Sequence, residues 1–250
     1  HEQHLVQRIA DALPHLYVCR SSDVLAEFRE FERTSTTVMN AYVGPRMRHY
    51  MEQLTARLAD IGVQVAPLTM QSNGGLMSAD AVRAYPVRTC LSGPAAGVVA
   101  AGALSVAAGV PGLIAFDVGG TSTDVSLVID GKPATTAERE VAGYPVRSAM
   151  VDVHVIGAGG GSIARVNAAG LLEVGPDSAG ADPGPACYGK GGYLPTVTDA
   201  DLVAGALNPA YFLGGRMGLD AEAAEQSVRT HVADRMNVDM RTASSGILRV

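Results

Sequence analysis

Apolar residues follow two patterns along the chain, one typical of helices and one typical of strands. Where they recur every three or four positions they form one face of a helix, and short continuous runs between turn residues indicate strands. The helical pattern predicts helices over 1–13, 34–58, 78–85, 199–207 and 220–235, and a small-residue helix that starts at Ser92 or Gly93. The extended runs predict strands over 15–19, 63–70, 113–117, 124–129, 134–141, 151–156 and 162–166. This mixture of helices and strands predicts the α/β class, with a surface loop over 175–195.

Composition narrows the class of protein. The chain has 250 residues, of which 47% are hydrophobic and 18% are charged, and this balance excludes intrinsic disorder. Its formal net charge is −6, whereas a protein that binds nucleic acid presents a basic face. We therefore expect no nucleic-acid partner. The 29 glycines are clustered, and the clusters contain most of the candidate functional residues.

Cysteine spacing and hydropathy bear on the cellular location. The three cysteines are far apart and have no CxxC spacing, so the sequence predicts neither a disulfide framework nor a cysteine-rich zinc site. Residues 95–116 lack charge and are long enough to span a bilayer, but they are mostly Ala and Gly, and a Pro-Gly pair interrupts them. We interpret them as a buried helix, a turn and a core strand. The expected location is the cytoplasm, with no membrane partner.

The segment from Asp117 to Asp124 reads Asp-Val-Gly-Gly-Thr-Ser-Thr-Asp and lies between two predicted strands. Gly119 and Gly120 permit positive φ and close approach of the backbone to another molecule. Hydroxyl groups follow at Thr121, Ser122 and Thr123. A tight turn with converging N–H groups favours phosphate oxygens, and a carboxylate beside it favours Mg²⁺. A P-loop is a poorer match because Gly-Lys-Ser/Thr is absent, and an ordinary glycine-rich hairpin is the alternative.

A second glycine cluster, Gly157-Ala-Gly-Gly-Gly-Ser162, follows the predicted strand 151–156. Four glycines in five positions disfavour a helix, at about 1 kcal/mol for each glycine relative to alanine. A Rossmann dinucleotide loop is one interpretation, but position 162 is Ser where the GxGxxG pattern needs Gly, and no long helix follows. A plain structural turn is another.

Further candidates lie outside the two glycine clusters. Asp152 and His154 share one face of the predicted strand 151–156, which suits two metal ligands, an acid with an orienting base, or a hydrogen-bonded pair that shapes the strand end. Asn73 and Gly74 follow an apolar strand, where open α/β sheets bind ligands, although a simple turn fits equally well.

Two helix starts complete the candidates. The Ser92-Gly-Pro-Ala-Ala-Gly97 segment opens a helix whose N-terminus suits a phosphate, and whose small side chains also suit close packing. Thr198-Asp-Ala-Asp201 is typical of a helix cap followed by N-terminal acids. Asp199 is therefore interpreted either as part of a helix start or as a residue near the active site.

Four of these segments together resemble the hydantoinase A / 5-oxoprolinase family, a branch of the actin/Hsp70/sugar-kinase ATPase superfamily. The resemblance rests on Gln71-Ser-Asn-Gly-Gly75, Leu91-Ser-Gly-Pro-Ala-Ala-Gly-Val98, Asp117 to Asp124, and Ile156-Gly-Ala-Gly-Gly-Gly-Ser162. Their order and spacing match across roughly residues 20–215. The resemblance implies an RNase H-like α/β fold.

The resemblance also implies an activity. It is the ATP-dependent opening of a cyclic amide such as a hydantoin or 5-oxoproline, with phosphoryl transfer to the amide oxygen before hydrolysis. The cofactors would be ATP and Mg²⁺, the partner a hydantoinase B-type subunit or domain, and the assembly an oligomer. The alternatives are an ATP-dependent ketone carboxylase subunit, a non-catalytic nucleotide-binding module and a sugar-type kinase.

Roles for individual residues follow from the same resemblance. Asp117 and Asp124 would be catalytic, with Asp117 positioning Mg²⁺. The nucleotide would be bound by Gly119, Gly120, Thr121, Ser122, Thr123, Gly157, Gly159, Gly160, Gly161 and Ser162, the second group forming an adenosine loop. Residues near the substrate would be Asn73, Gly74, Asp152, His154 and Asp199.

One departure from the family pattern is visible. Family members carry a second Asp-x-Gly-Gly-Thr-x-Thr-Asp motif near their N-terminus, and this chain has one copy. We therefore expect a partial copy of the fold that lacks the N-terminal phosphate hairpin. The expected division is into linking helices and part of the first lobe over 1–110 and a nucleotide-binding second lobe over 111–250.

Overall fold

The computed structural model describes all residues from His1 to Val250. Its helices are α1 Glu2–Ala12, α2 Ser21–Val24, α3 Glu30–Asp60, α4 Ala79–Ala84, α5 Ser92–Ala108, α6 Val197–Val203, α7 Ala221–Val228, α8 Asp234–Met236 and α9 Met240–Ile247. A π-helical turn over Arg229–Ala233 joins α7 to α8. None of these helices combines the length and the hydropathy that crossing a membrane requires.

The strands form small, mostly antiparallel sheets. They are β1 Leu68–Met70, β2 Leu76–Ser78, β3 Gly112–Val118, β4 Thr123–Ile129, β5 Lys132–Pro133, β6 Thr135–Val141, β7 Tyr144–Val151, β8 His154–Ile156, β9 Ser162–Val166 and β10 Leu172–Ser178. The pairs β1–β2, β6–β7 and β9–β10 are antiparallel hairpins, and β3, β4 and β5 are neighbours in that order. The observed mixture of elements confirms the predicted α/β class.

The chain divides into two compact units. Unit 1 contains His1–Ala115 and Ser126–Val153, and unit 2 contains Phe116–Val125 and His154–Val250. The chain passes between the units within β3, within β4 and after β7. The predicted division into part of a first lobe over 1–110 and a nucleotide-binding lobe over 111–250 stays a prediction.

The long helix α3 organises one end of unit 1. Its buried positions are Thr36, Asn40, Gly44 and Met51, and their spacings of four, four and seven residues place them along one face. The Asn40 side-chain nitrogen donates to the Ala84 carbonyl at 3.2 Å, and its oxygen accepts from the Val87 N–H at 3.2 Å. The predicted helix over 34–58 is confirmed and longer, and Pro45 does not end it.

Small residues let α5 pack closely in unit 1. A Cβ at Gly102 would lie 2.6 Å from the Gly131 carbonyl oxygen, so only glycine permits this approach. The helix contributes Ala95 and Val98 to a core that also contains Val128. Of the two interpretations of this small-residue segment, the structure therefore supports close packing for the body of α5.

The core of unit 2 lies between helices and the β9–β10 hairpin. Its buried residues are Ala164, Ala200, Val228, Val232, Ala233, Ala243 and Ile247. Ala164 lies on β9 and Ala200 on α6, whereas the others belong to the C-terminal helices and the π-helical turn. The helix α9 was missed by the sequence pattern, and the long helix predicted over 220–235 is broken by the π-helical turn.

Several strand predictions were wrong in extent. Residues 15–19 form no strand, and the strand predicted over 63–70 is only β1. The strand predicted over 151–156 is two elements, because β7 ends at Val151 and β8 begins at His154. The sequence pattern missed most of β7, although Ala142 and Gly143 have positive φ and form the turn into it.

The strand β3 is less buried than the expected core strand. Leu113 and Ala115 pack on the core of unit 1, whereas Ile114, Phe116 and Val118 are exposed. The alternation arises because neighbouring side chains of a strand point to opposite faces. An uninterrupted apolar run does not reveal that only one of those faces is covered.

Candidate functional site

A tight turn with free backbone N–H groups joins β3 to β4 in unit 2. The Gly119 N–H donates to the Ser122 carbonyl at 2.8 Å and closes the turn. The N–H groups of Gly120, Thr121 and Ser122 make no hydrogen bond with the rest of the chain. Gly120 and Thr121 are exposed, so these donors face solvent. Consecutive free N–H groups of this kind suit an anion such as a phosphate oxygen.

Two carboxylates flank this turn. Asp117 is exposed, and its side chain makes no hydrogen bond or ion pair within the chain. Asp124 is half-buried on β4, opposite Val155 of β8. No group of three His, Cys, Asp or Glu side chains that could hold a metal ion is present. Mg²⁺ needs no such group, since one or two carboxylates together with substrate phosphates usually hold it, and the free Asp117 carboxylate fits that requirement.

The second glycine cluster is bonded directly to the turn. The Gly160 N–H donates to the Gly119 carbonyl at 3.0 Å, and the Gly161 N–H donates to the Gly120 carbonyl at 2.6 Å. Within the cluster, the Gly159 N–H donates to the Ser162 hydroxyl at 2.9 Å. The two motifs that the sequence singled out are therefore one continuous structure in unit 2.

The absence of side chains explains how the two segments come so close. A Cβ at Gly159 would lie 2.6 Å from the Gly119 carbonyl oxygen, and one at Gly161 would lie 2.9 Å from the Gly120 oxygen. A Cβ at Gly160 would lie 2.9 Å from the Thr198 hydroxyl, which itself donates to the Gly160 carbonyl at 2.8 Å. Contacts below 3.0 Å require the neighbouring atoms to move, so each of these three positions needs glycine for packing alone.

The structure separates inward-facing groups from accessible ones. The buried Thr123 hydroxyl donates to the Ala158 carbonyl at 2.6 Å, and Ser162 is fully buried. Both side chains therefore stabilise the turn and the glycine cluster. Gly157 is exposed, as are Gly120 and Thr121 at the tip.

The remaining predicted site residues are divided between the units. His154 begins β8 in unit 2 and is exposed. Asp152 lies in unit 1 outside any strand, so it shares no strand face with His154. Its backbone N–H donates to the Ala134 carbonyl at 2.8 Å, and its carbonyl accepts from the Ser126 hydroxyl at 2.6 Å. The exposed Asp152 side chain has no partner within the chain.

Asn73 and Gly74 form a turn in unit 1. The Gln71 N–H donates to the Gly75 carbonyl at 2.7 Å, and the Asn73 side-chain oxygen accepts from the Gly75 N–H at 2.8 Å. Gly74 has φ of +84°, a conformation that favours glycine. The turn interpretation is therefore sufficient for Gly74, and Asn73 remains exposed with its side-chain nitrogen free.

Comparison with known proteins identifies the family. The hydantoinase/oxoprolinase family model matches residues 33–250. The chain belongs to the hydantoinase/oxoprolinase family. This confirms the resemblance drawn from the four motifs.

Two relatives of this hydantoinase/oxoprolinase chain are named as a caprolactamase subunit and a 5-oxoprolinase. Caprolactamase subunit alpha from Pseudomonas jessenii is 40% identical over 99% of this chain and 36% of the relative. The 5-oxoprolinase of Saccharomyces cerevisiae is 40% identical over 85% of this chain and 16% of the relative. The chain thus spans about a third or less of the length of these relatives.

Two solved structures of the family agree with this fold. A nucleotide-free acetone carboxylase matches with a TM-score of 0.83 and 27% identity, over 99% of this chain and 35% of that chain. The ATP-dependent caprolactamase of Pseudomonas jessenii matches with a TM-score of 0.76 and 38% identity, over 99% and 36% respectively. These matches confirm the predicted ATPase-type fold.

Asp199 has a role in this family member that its sequence context only partly indicated. Its carboxylate is fully buried and accepts from the N–H groups of Ala186, Cys187 and Thr196 at 3.2, 2.8 and 2.9 Å. The Thr196 hydroxyl also donates to it at 2.8 Å. The Asp199 N–H donates in turn to the Thr196 hydroxyl oxygen at 3.3 Å, and this bond and the one from the Thr196 N–H form a capping box at the start of α6. The helix-start interpretation therefore accounts for the residue, although the cap is Thr196 and not Thr198.

Cys187 beside this carboxylate is a structural thiol. Burial, and secondarily the negative charge of Asp199, raise the pKa of the Cys187 thiol well above its ordinary range. A nucleophilic cysteine needs accessibility and a lowered pKa, so burial and the raised pKa both disfavour Cys187 as a nucleophile.

Ser178 adjoins the turn and was missed by the sequence reasoning. Its hydroxyl lies 3.5 Å from the Thr121 hydroxyl and would lie 2.9 Å from a Cβ at Gly161. It belongs to β10, at a register irregularity between Val174 and Ser178. No local pattern signals this position, because its approach to the turn depends on how β10 pairs with β9.

Replacing Gly159 by alanine tests the packing of the glycine cluster. The added Cβ would meet the Gly119 backbone at 2.6 Å, so we expect a loss of about 1–3 kcal/mol in the free energy of unfolding. Gly218→Ala is the matched control, because nothing lies within 4 Å of a Cβ there. Urea denaturation of both variants provides the measurement, and equal stabilities would contradict the close contact.

Proposed function

We propose that the turn between β3 and β4 binds the phosphate groups of ATP. The supporting observation is the set of three consecutive free N–H groups at Gly120, Thr121 and Ser122, exposed beside a carboxylate without a partner. The two solved relatives are described as an ATP-dependent caprolactamase and as a carboxylase studied for ATP-dependent acetone carboxylation. These N–H groups and the Asp117 carboxylate all belong to unit 2.

Asp117 would hold Mg²⁺ at this turn. The ion, when bound, neutralises phosphate charge that the backbone N–H groups only partly balance. Asp117 is accessible and free of internal bonds, so no structural interaction must be broken for it to act as a ligand. Asp124 is half-buried on the adjoining strand. Its carboxylate would orient either the oxygen that attacks the γ-phosphorus or the oxygen that bridges the β- and γ-phosphates.

The glycine cluster would pack against the nucleoside. Its N–H groups at Gly160 and Gly161 are already bonded to the turn, so they cannot also donate to the nucleotide. The exposed backbone at Gly157 would instead make van der Waals contact with ribose and base. This arrangement couples the position of the nucleoside to the position of the phosphates.

We propose that the complete protein hydrolyses a cyclic amide at the expense of ATP. The amide oxygen would attack the γ-phosphorus while the bond to the β-phosphate oxygen breaks, and ADP would leave. Water would then add to the activated carbon, and cleavage of the carbon–nitrogen bond would open the ring to give an amine and an acyl phosphate. A second water would hydrolyse the acyl phosphate to a carboxylate and free phosphate. Phosphoryl transfer depends mainly on positioning and charge stabilisation, which are what the turn provides.

A second subunit or domain of the hydantoinase B type would complete the reaction. One relative is named as a subunit, and this chain spans about a third of that relative. An ATP-dependent ketone carboxylase subunit is the alternative, supported by the TM-score of 0.83 with acetone carboxylase. A cytoplasmic, oligomeric protein is expected in either case.

Calorimetric titration with Mg-ATP tests the proposed nucleotide site. We expect one nucleotide to bind per chain, and we expect binding to weaken when Mg²⁺ is chelated. A folded chain that gives no binding heat and no nucleotide-dependent rise in melting temperature would refute the proposal. In the complete protein, ADP release stimulated by a cyclic amide supports the hydrolase, and release that needs a ketone with bicarbonate supports the carboxylase.

A further inference from the structure

We propose that a small cavity in unit 1 binds a phosphate group, either as the free ion or as a phosphate monoester. The cavity has a volume of about 170 Å³ and lies between the segment 17–24, Arg48 of α3 and residues 83–85. This volume exceeds the roughly 15 Å³ that one water molecule needs and is below the roughly 300 Å³ at which pockets for drug-sized ligands begin. The cavity therefore suits a small ion, and all of its lining residues belong to unit 1.

Basic side chains outnumber acidic ones in the lining of this cavity. Arg20, Arg48 and Arg83 line it, and Asp23 is the one carboxylate among the lining residues. The Asp23 carboxylate is paired with the Nε of Arg20. Three guanidiniums against one carboxylate leave an excess of two positive charges, which favours an anion.

Arg48 is the guanidinium that has no acidic partner. It is half-buried, has no carboxylate oxygen within 4.0 Å and makes no side-chain hydrogen bond. Its guanidinium lies 4.8 Å from the centre of the Tyr17 ring, and this contact holds the side chain in place. The ring lies directly against α3, because a Cβ at Gly44 would collide with it. Arg48 is therefore positioned at the cavity with all of its N–H donors unused.

Arg83 also has donors without acceptors. One terminal nitrogen donates to Asp80 at 2.8 Å, but Asp80 lies outside the cavity and its side chain is 87% exposed, so solvent screens that charge. The Nε of Arg83 is buried and has no hydrogen-bond partner, which is unfavourable for a donor. The edge of the guanidinium formed by Nε and Nη2 is the one that binds an oxyanion with two parallel hydrogen bonds.

The polar backbone of the cavity wall does not oppose an anion. The Arg83 carbonyl oxygen lies 2.9 Å from the Tyr17 hydroxyl. The Ala84 carbonyl oxygen lies 3.0 Å from the same hydroxyl and accepts from the Asn40 side chain at 3.2 Å. Both carbonyl oxygens are therefore already occupied by donors of the chain.

The number of donors favours a phosphate group over a carboxylate. The three guanidiniums come from separate segments of the chain: Arg20 precedes α2, Arg48 lies on α3 and Arg83 on α4. A carboxylate offers two oxygens and one charge, whereas a phosphate group offers at least three oxygens and a charge between one and two at neutral pH. Only the phosphate group can accept from all three guanidiniums at once.

Calorimetric titration of the full chain with inorganic phosphate tests the proposal, and acetate is the comparison ligand. Ionic strength is held constant because salt screens the attraction between exposed charges. We expect phosphate to bind at least about tenfold more tightly than acetate. Binding of glycerol 3-phosphate as well would identify the ligand as a monoester, and binding of inorganic phosphate alone would identify it as the free ion. A folded chain that binds neither, or binds them no more tightly than acetate, would overturn the proposal.

Variants locate the binding in this cavity. Arg48→Gln is expected to weaken phosphate binding by about tenfold or more, and Arg83→Gln is the second variant, expected to act in the same direction. Arg46→Gln is the matched control, since Arg46 is exposed on α3, does not line the cavity and undergoes the same change of charge. Circular dichroism shows that each variant is folded. A folded Arg48→Gln or Arg83→Gln chain that binds phosphate as tightly as the control would overturn the proposal.

Nucleotide binding, measured on the same samples, separates this cavity from the turn between β3 and β4, which belongs to unit 2. We expect Arg48→Gln to bind Mg-ATP like the unaltered chain. Phosphate that binds Arg48→Gln normally and is displaced by Mg-ATP is held at the turn, and this result would overturn the cavity site. If the chain binds phosphate through Arg48 but binds no nucleotide, the proposed function fails and the cavity site stands.

Discussion

Replacing Asp117 by asparagine is expected to reduce the affinity for Mg-ATP by about tenfold or more and to abolish its dependence on Mg²⁺. The expectation follows from the loss of a charged oxygen ligand, since Mg²⁺ in nucleotide sites is held by one or two carboxylates. The exposed Asp117 side chain has no partner within the chain, so stability should change by no more than about 0.5 kcal/mol. Calorimetry with ATP at several Mg²⁺ concentrations, together with urea unfolding, measures both effects.

Asp130→Asn is the matched control for this experiment. Asp130 has φ of +49° in the turn between β4 and β5, where asparagine is equally well accommodated. The control carries the same chemical change at a second exposed turn, so it should bind Mg-ATP like the unaltered chain. If Asp117→Asn binds as tightly as the control, Asp117 is not a ligand of the ion.

Replacing Asp199 by alanine is expected to destabilise the chain by about 3–5 kcal/mol, the largest stability effect predicted for this structure. The substitution leaves three backbone N–H groups and the Thr196 hydroxyl buried without their acceptor. Each orphaned donor costs about 1–3 kcal/mol, reduced where the structure relaxes or admits water. Urea denaturation followed by circular dichroism gives the free energy of unfolding.

Two further variants distinguish this mechanism from a general loss of negative charge. Asp199→Asn retains one acceptor oxygen, so it should cost less than the alanine variant. Asp234→Ala removes an exposed carboxylate of the same unit that makes no side-chain bond, and its stability should stay within about 0.5 kcal/mol of the unaltered chain. An Asp199→Ala chain as stable as Asp234→Ala would show that the buried carboxylate contributes nothing.

Prediction from sequence succeeded where the signal is local. The helix α3, the strands on both sides of the Gly119 turn, and α5 follow from spacing and turn residues within the segments themselves. It failed at β7, whose apolar residues do not alternate regularly, and at α9, where few residues are apolar. The shared strand face of Asp152 and His154 was lost because the chain changes partner strand between β7 and β8.

The glycine patterns indicated where the backbone comes close to another group, but not which group that is. The sequence marked both clusters as sites of close approach, and a ligand or another part of the chain satisfies that requirement equally well. The structure shows that Gly159, Gly160 and Gly161 are required by the chain itself, whereas Gly120 has nothing within 4 Å of a Cβ. The functional proposal therefore rests on the accessible tip at Gly120. The second glycine cluster is bonded to that tip and stabilises it.

The sequence by itself determined the α/β class and the turn with flanking carboxylates, because each depends on residues that are close in the chain, and it indicated the family through the resemblance of four separate motifs. Only the tertiary structure decided that the two glycine clusters are bonded to each other, that Asp199 is a buried cap, and that Arg48 lines a cavity without an acidic partner. Those facts depend on contacts between segments far apart in sequence. Burial and hydrogen-bond satisfaction are properties of the packed chain, and no local pattern encodes them.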